Sequence, residues 1–491
     1  MIDHWQMDHL VTRIFSLRQC TRGPQAAWVF MLAVTLLQST LCTVAAQQTR
    51  IVSPRLAPAT KDSLAANRDS LATMTDRLVP ARRETVATKG DTLAVKRDTT
   101  QLLIVTAGPD SSLQLADTVR AKEAHPQDSP VDRGFMIRTA DGKSELRIVG
   151  SVRLNGVYDF NGLQTASNFN TYDIPVGDAN IHEARFQMTA AQTRLALEAT
   201  KKATFGDIFV KVETDFLGPS DALRLRHAYV TVSRFLFGQT WSTFGDLTAL
   251  PLTVDLDGPN SSVSTRTVQI RYMGTINSKL TWDAAIESPS VEATIPDSVG
   301  HEPSFQSFPD VIFRMRQSGT WGHAQLAGVL RSISVRAPSG SLEVMAAYGF
   351  LVSGRIYLGG SHPHRILYQF VGGKGVSRYI TALKGEGLDL VYNPLSGSVE
   401  LTASAGGYIS YAREWVPSLL TYVTAGFVRI RNIDFFPDNA FSVSEYISAN
   451  LFWDIAPGMR LGVEYAWGRR VNKNGDYGNA NRVSFLLQYD F

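Results

Sequence analysis

The residues best suited to chemistry lie close together in "LRLRHAYVTVSRFLFGQTWSTFGD", residues 223–246. Arg224 and Arg226 stand at alternate positions, and Gln239, Trp241, Ser242, Thr243 and Phe244 form a compact polar and aromatic cluster. Two chemistries suit them. A serine beside a base would be a nucleophile. Arginines two apart on a strand would share a face, where each can hold a carboxylate bidentately while staying charged at any pH.

The first chemistry lacks partners. The sequence has no GxSxG, HExxH or GxxxxGK[ST] motif, and "GGKG" at 372–375 lacks the phosphate-loop spacing. His182, His227, His301, His323, His362 and His364 have no consistent serine or carboxylate companion. His362 and His364 in "SHPHR" read as a proline-containing turn rather than a metal site. No cofactor, metal or catalytic residue is expected, and a barrel-embedded hydrolase has only Ser242 to support it.

The remaining chemistry needs a scaffold, and the chain's regions differ sharply in composition. Arg13, Arg18 and Arg22 precede the apolar run "AAWVFMLAVTLLQSTL", and Val44 and Ala46 fit cleavage after Ala46. Residues 1–46 are therefore read as a secretory signal peptide, too short in its apolar part for a membrane anchor. Both cysteines, Cys20 and Cys42, fall in it, so an exported chain would carry no disulfide or cysteine–metal site. The formal charge of +3 over 491 residues gives no nucleic-acid signature.

Residues 47–134 contain no Phe, Tyr or Trp, and cannot bury enough apolar surface to offset their ordering entropy alone. "KDSLAAN", "RDSLATM" and "TDRLVPA" nevertheless repeat every seven residues, aligning Leu64, Leu71 and Leu78. The segment is read as a periplasmic linker with heptads, partly a helical coiled coil, interrupted by Pro80 and Gly90. A solvated linker with degenerate repeats is the plainer alternative.

From Phe135 to Phe491 the pattern becomes one of strands. In "NRVSFLLQYDF", Val483, Phe485, Leu487, Tyr489 and Phe491 alternate with Arg482, Ser484, Gln488 and Asp490, and only Leu486 breaks the rule. "MRLGVEYAWG", "YISANLFWDI" and "DVIFRMRQ" alternate in the same way. Period two over 9–11 residues, with aromatics at the ends, is what a lipid-facing barrel strand needs. Short connections ("DIAPG", "WVPS") alternate with long ones ("NKNGDYGN", residues 289–309), as in outer-membrane barrels. The expected fold is all-β: a transmembrane antiparallel barrel of about sixteen strands, domain 135–491. A β-sandwich or propeller would share the alternation but not the strand length. A phase change between Phe186/Met188 and Leu195/Leu197 predicts a bulge or break near residue 190.

Within this scaffold the opening stretch is one hairpin and the start of a loop, with Leu223, Leu225 and Tyr229 towards lipid and Arg224, Arg226 and Ala228 towards the lumen. "RLRHAY…GQTWSTF", with "LPLTVDLDGP", "QIRY", "GVSRYI" (375–380), "GGYISYAREWVP" (406–417) and "LGVEYAWGRR" (461–470), closely resembles the DcaP family of trimeric outer-membrane porins. The resemblance implies a homotrimeric, sixteen-stranded channel for small anions, dicarboxylates above all, in a bacterial outer membrane. Alternation alone places Arg147, Arg153, Arg194, Lys211, Arg224, Arg226, Arg271, Arg314 and Arg316 on the inner face, with Asp159, Glu198, Glu213 and Asp215 as inward acids. Phe491 is read as the C-terminal signal for the outer-membrane assembly machinery. A structural tether between outer membrane and periplasm, with incidental conduction, is the alternative from another functional class.

Overall fold

The computed structural model describes residues 103–106, 134–161, 163, 165, 167–177, 183–303, 306–359, 364–432 and 434–491. The expected signal peptide lies outside these residues. So does the heptad segment, except for Leu103–Thr106, which is a strand paired antiparallel with Phe135–Arg138 rather than part of a helix.

Sixteen antiparallel strands form the barrel wall. They are β1 (Ser144–Asp159), β2 (Arg185–Thr189 and Arg194–Lys201), β3 (Ile208–Asp215), β4 (Arg224–Val232), β5 (Phe235–Trp241) and β6 (Arg266–Asn277). There follow β7 (Leu280–Glu287), β8 (Asp310–Gly319), β9 (Gly322–Arg336), β10 (Leu342–Leu358) and β11 (His364–Lys374). The last five are β12 (Ala403–Val416), β13 (Leu419–Ile430), β14 (Phe441–Ala456), β15 (Met459–Asn472) and β16 (Tyr477–Asp490). Each pairs with its neighbour, and β16 closes on β1 from Arg482↔Asp159 to Asp490↔Ser151. Closure removes sheet edges, which in hydrocarbon would leave backbone groups unpaired at several kcal/mol each.

The outer face is apolar and bare: Leu154, Ile270, Phe313, Leu330, Phe350, Ile409, Leu451 and Phe485 are all exposed. The inner face carries the polar residues of the same strands, buried. Such an apolar surface around a polar interior suits lipid outside and water within. Phe235, Tyr272, Trp282 and Phe313 form a chain of ring contacts, with centroids 5.1–6.0 Å apart from pair to pair. Gly274, opposite Trp282, makes room for the indole, because a Cβ there would fall inside the ring.

Two of the irregularities in the strands reset which face a side chain takes. Between Thr189↔Asn155 and Arg194↔Ser151, β2 holds one residue more than β1. Residues 190–193 form the break that the phase change predicts, and both halves keep their apolar side outward. The second was not foreseen. Glu213 pairs with His227 and Thr214 with Leu225, so Arg226 is an extra residue in β4. Arg226 and His227 are both buried on the inner side, and the phase reverses beyond them. Tyr229 therefore points inward, packed with Phe209 and Leu236, not towards lipid.

Connections at the end holding the start of β1 and the finish of β16 are short, two residues in five of seven cases. At the other end they run to 24 residues between β5 and β6 and 28 between β11 and β12. The asymmetry expected from the sequence holds, with one correction: half of "NKNGDYGN" is strand, leaving four residues between β15 and β16.

Candidate pore lining and constriction loop

The polar cluster of the opening stretch is the root of a loop that folds into the barrel. Ser242 Oγ donates to Glu287 at 2.8 Å and accepts from the Phe244 amide at 3.1 Å. The Thr243 amide donates to the same carboxylate at 2.7 Å, and Thr243 Oγ1 donates to Gln269. Arg271, wholly buried, donates to Gln269 and to the Trp241 carbonyl. Gln239 donates to the Leu225 and Arg226 carbonyls, bracing the β4 bulge. Ser242 is thus a peg rather than a nucleophile.

Residues 242–265 then travel along the inner wall. Asp246, wholly enclosed, takes Arg316 at 2.5 Å, His323 at 2.8 Å and Ser353 at 2.8 Å. Burial pushes its carboxyl up, but Arg316 and His323 outweigh that and hold it well below the usual carboxylate range. Serine and histidine both meet the acid and not each other, which is no arrangement for nucleophilic catalysis. The loop carbonyls of Gly245, Thr248, Ala249 and Leu252 accept from Gln325, Arg355, Tyr408 and Asn450 in turn. Glu464 of β15 accepts the amides of Val254 and Asp255, and Asn155 of β1 donates to the Val254 carbonyl. On the return, Gln369 donates to the Ser261 carbonyl beside Gly406, where a Cβ would come within 2.8 Å of Ser261. The bonds named here reach β1, β7–β12, β14 and β15.

Two other loops join it. In residues 375–402, Ser377 Oγ and the Arg378 amide donate to Asp389, and Tyr379 donates to Asp310. Arg331, fully buried, bridges Asp310 at 3.1 Å and Asp389 at 2.9 Å. In residues 160–184, Asn168 donates to Asp257 at 2.7 Å and the Phe169 amide to Asp255 at 2.7 Å. Arg482 clasps Asp159 with both ends of its fork and also caps the carbonyls of Thr165 and Asn168. Burial raises the Asp257 carboxyl above its usual range, against the Asn168 bond and the charges of Lys384, Arg224 and Arg266.

The nine cations expected on the inner face fall into two groups. Arg271, Arg314 and Arg316 serve the loop: Arg314 pairs with Asp283 at 2.5 Å and Arg316 with Asp246. Around β1–β4, Arg147 pairs with Glu145, Lys211 with Glu198 and Glu213, and Arg226 with Glu213 and Asp215. Arg153 and Arg194 are buried on the same side. Arg224 pairs with Asp215 at 2.7 Å, yet 39% of its side-chain surface stays exposed. Arg331, Arg482, Asp246 and Asp310 were not singled out from the sequence. Their partners lie 21 to 323 residues away, so no local spacing marks them.

Phe491 completes the wall. Its amide and carbonyl exchange hydrogen bonds of 3.0 Å with Gly150, extending the β16–β1 seam by one residue.

A family model, "DcaP outer membrane protein", matches residues 127–491. Among solved structures, the outer membrane channel DcaP of Acinetobacter baumannii superposes with a TM-score of 0.63 at 20% identity. That alignment covers 72% of this chain and 99% of the other. An anion-selective porin from Comamonas acidovorans gives a TM-score of 0.47 at 11% identity, over 71% of this chain and 100% of that one. No curated protein matches the sequence.

Proposed function

The chain belongs to the DcaP outer membrane protein family, and on that footing we propose that it admits small anionic solutes, dicarboxylates among them, by passive diffusion. It is an outer-membrane β-barrel channel and not an enzyme. The loop end faces outward from the cell and the short-turn end faces the periplasm, as in barrels of this class. The anion preference is carried by one observation. Arg194, Lys211, Arg224 and Arg226 gather on the inner side of β2–β4, and we take that stretch of wall as the side of the passage facing the inward loop. Low-dielectric walls focus the field of such cations, concentrating anions and excluding cations, while multiple weak contacts let the solute leave. The acids temper that field and hold the cations in place, Glu198 the Lys211 ammonium, Glu213 and Asp215 the guanidiniums of Arg226 and Arg224. The reading includes assembly as a homotrimer, which the family resemblance implies.

Liposome swelling tests the solute class. Vesicles holding the purified full chain, with gramicidin added to carry sodium, should admit disodium succinate faster than an uncharged solute of equal mass. Equal or slower entry would refute anion preference.

A further inference from the structure

The loop end of the barrel carries cations on its outside as well as within. Residues directly opposite in an antiparallel pair share a face, so register carries the lipid side from strand to strand. At this end Tyr348 of β10, half-exposed towards lipid, stands opposite Lys374 of β11, and Lys374 opposite Ala403 of β12. The Arg431 amide, just past β13, donates to the Ala403 carbonyl, which puts Arg431 in the same row. One row nearer the membrane centre, Gly372, Ala405, Arg429, Val443, Val471 and Tyr477 follow one another across β11–β16. Lys374, Arg429 and Arg431 are exposed, and among the described residues no carboxylate lies within ion-pair distance of them. In the next row Glu445 stands opposite Arg469, whose guanidinium lies over Tyr477, 4.4 Å from the ring centroid. Among the described strand residues of β11–β15, Glu445 is the outward acid at this end, against four outward cations.

These side chains face lipid and not the passage. Tyr348 and Tyr477, in the same two rows, mark the level at which hydrocarbon gives way to headgroups. Water alone would solvate the cations there, but the surface between them has the shape of a seat. Ala403 and Ala405 form a low floor on β12. Beside them a Cβ on Gly372 would meet the Phe350 ring at 3.4 Å and the Ala405 methyl at 3.5 Å. Phe350, Phe370 and Phe427 stand up around this floor, 40–49% exposed. Lys374 and Arg431 flank Ala403 from the two neighbouring strands, about 10 Å apart at the backbone, so both long side chains can close on one group between them.

We propose that this face holds a phosphorylated glycolipid of the outer leaflet. Its headgroup phosphate sits among Lys374, Arg429 and Arg431, and an acyl chain lies on Ala403 and Ala405. A phosphate oxygen takes charge-assisted bonds from lysine and from the arginine fork, which supplies the anion these cations lack within the chain. The placement in the outer leaflet follows from the loop end facing outward from the cell, and is independent of which ions the channel selects.

The test adds lipids to the full chain purified in detergent and reads what stays bound in native mass spectra. The probes are a bisphosphorylated lipid A, the same lipid without its phosphates, cardiolipin and inorganic phosphate. The unaltered protein should retain the bisphosphorylated lipid A and release its dephosphorylated form and free phosphate. Replacing Lys374, Arg429 and Arg431 together with Gln should weaken retention about 5-fold for each charge lost. That variant should keep the heat-dependent mobility shift of a folded barrel and the zero-current potential of the unaltered channel. Ala405→Phe, with the charges intact, should also weaken retention, which attraction between charges alone would not produce. Retention unchanged by Ala405→Phe would overturn the acyl seat. No retention by the unaltered protein, or equal retention by the triple variant, would overturn the site. Tighter retention of cardiolipin than of lipid A would overturn the outer-leaflet assignment. A changed oligomeric state in the triple variant would show that a second copy covers this face instead.

Discussion

At the scale of single residues, charge at the mouth is set by carboxylates under strain as well as by arginines. Glu386, on the loop between β11 and β12, is pushed up to about 7 by burial first, then by Asp173 and Glu292, against the pull of Arg470. Tyr172 also faces this group. The unfolded chain would ionise Glu386 from about 4.5, the folded one only near 7. Its contribution to stability therefore falls as pH rises through that window and levels off above it. One negative charge appears at the mouth over the same range. The chloride-to-potassium permeability ratio should accordingly be higher at pH 6 than at pH 8, and Glu386→Gln should flatten the difference. An unaltered pH response in that variant would assign the titration to another group. Asp246 gives a second residue-scale outcome. Removing one partner of a buried ion pair costs about 3–5 kcal/mol. Asp246→Asn leaves Arg316 and His323 without their acid, so the loop should loosen inside an intact barrel. Single-channel conductance should rise and protease should nick residues 247–262. A native conductance with a protected loop would show that the other anchors suffice.

At the scale of elements, strands were legible in the sequence and loop paths were not. Alternation depends only on which face each side chain takes, so β14, β15, β16 and the break in β2 could be read directly. The bulge at Arg226 could not, because one extra residue reverses the phase without altering composition. Arg266 was missed for a related reason: counting back from Val268 and Ile270 assigns it to lipid, whereas it sits against Trp241 at the loop root. Leu486, the odd apolar residue of the last strand, packs inward with Leu252, Val254 and Phe452 under the constriction loop. Its exception to the alternation was the trace of a loop pressed against that wall. Conversely, the arginines that staple the loop look in sequence like those facing the passage, since both occupy inward positions. Gly274 offers a test confined to the wall. A side chain there must displace the Trp282 indole, and overpacking of this kind costs about 1–3 kcal/mol. Gly274→Val should lower the unfolding temperature in detergent while leaving ion selectivity as it was. Unchanged stability would mean the girdle repacks freely.

At the scale of the whole molecule, the barrel must close at a seam between its first and last strands, and Phe491 supplies the final pair of backbone bonds. Its ring also lies against Gly150, where a Cβ would come within 2.6 Å of it. Deleting Phe491 should lower the amount of folded barrel in the outer membrane and leave the channel properties of the surviving molecules intact. Normal levels would remove the residue from assembly. In the proposed function, closure and loop insertion act together: a sealed wall, a loop bonded along it, and the cations of β2–β4 facing the passage. That arrangement has one direct electrical consequence. Under a tenfold KCl gradient across a planar bilayer, the zero-current potential should have the sign of chloride selectivity at dilute salt. It should shrink towards zero in concentrated salt, as the screening length falls from about 10 Å at 0.1 M to about 3 Å at 1 M. A potential near zero, or of the opposite sign, in the dilute regime would contradict an anion-selecting lumen.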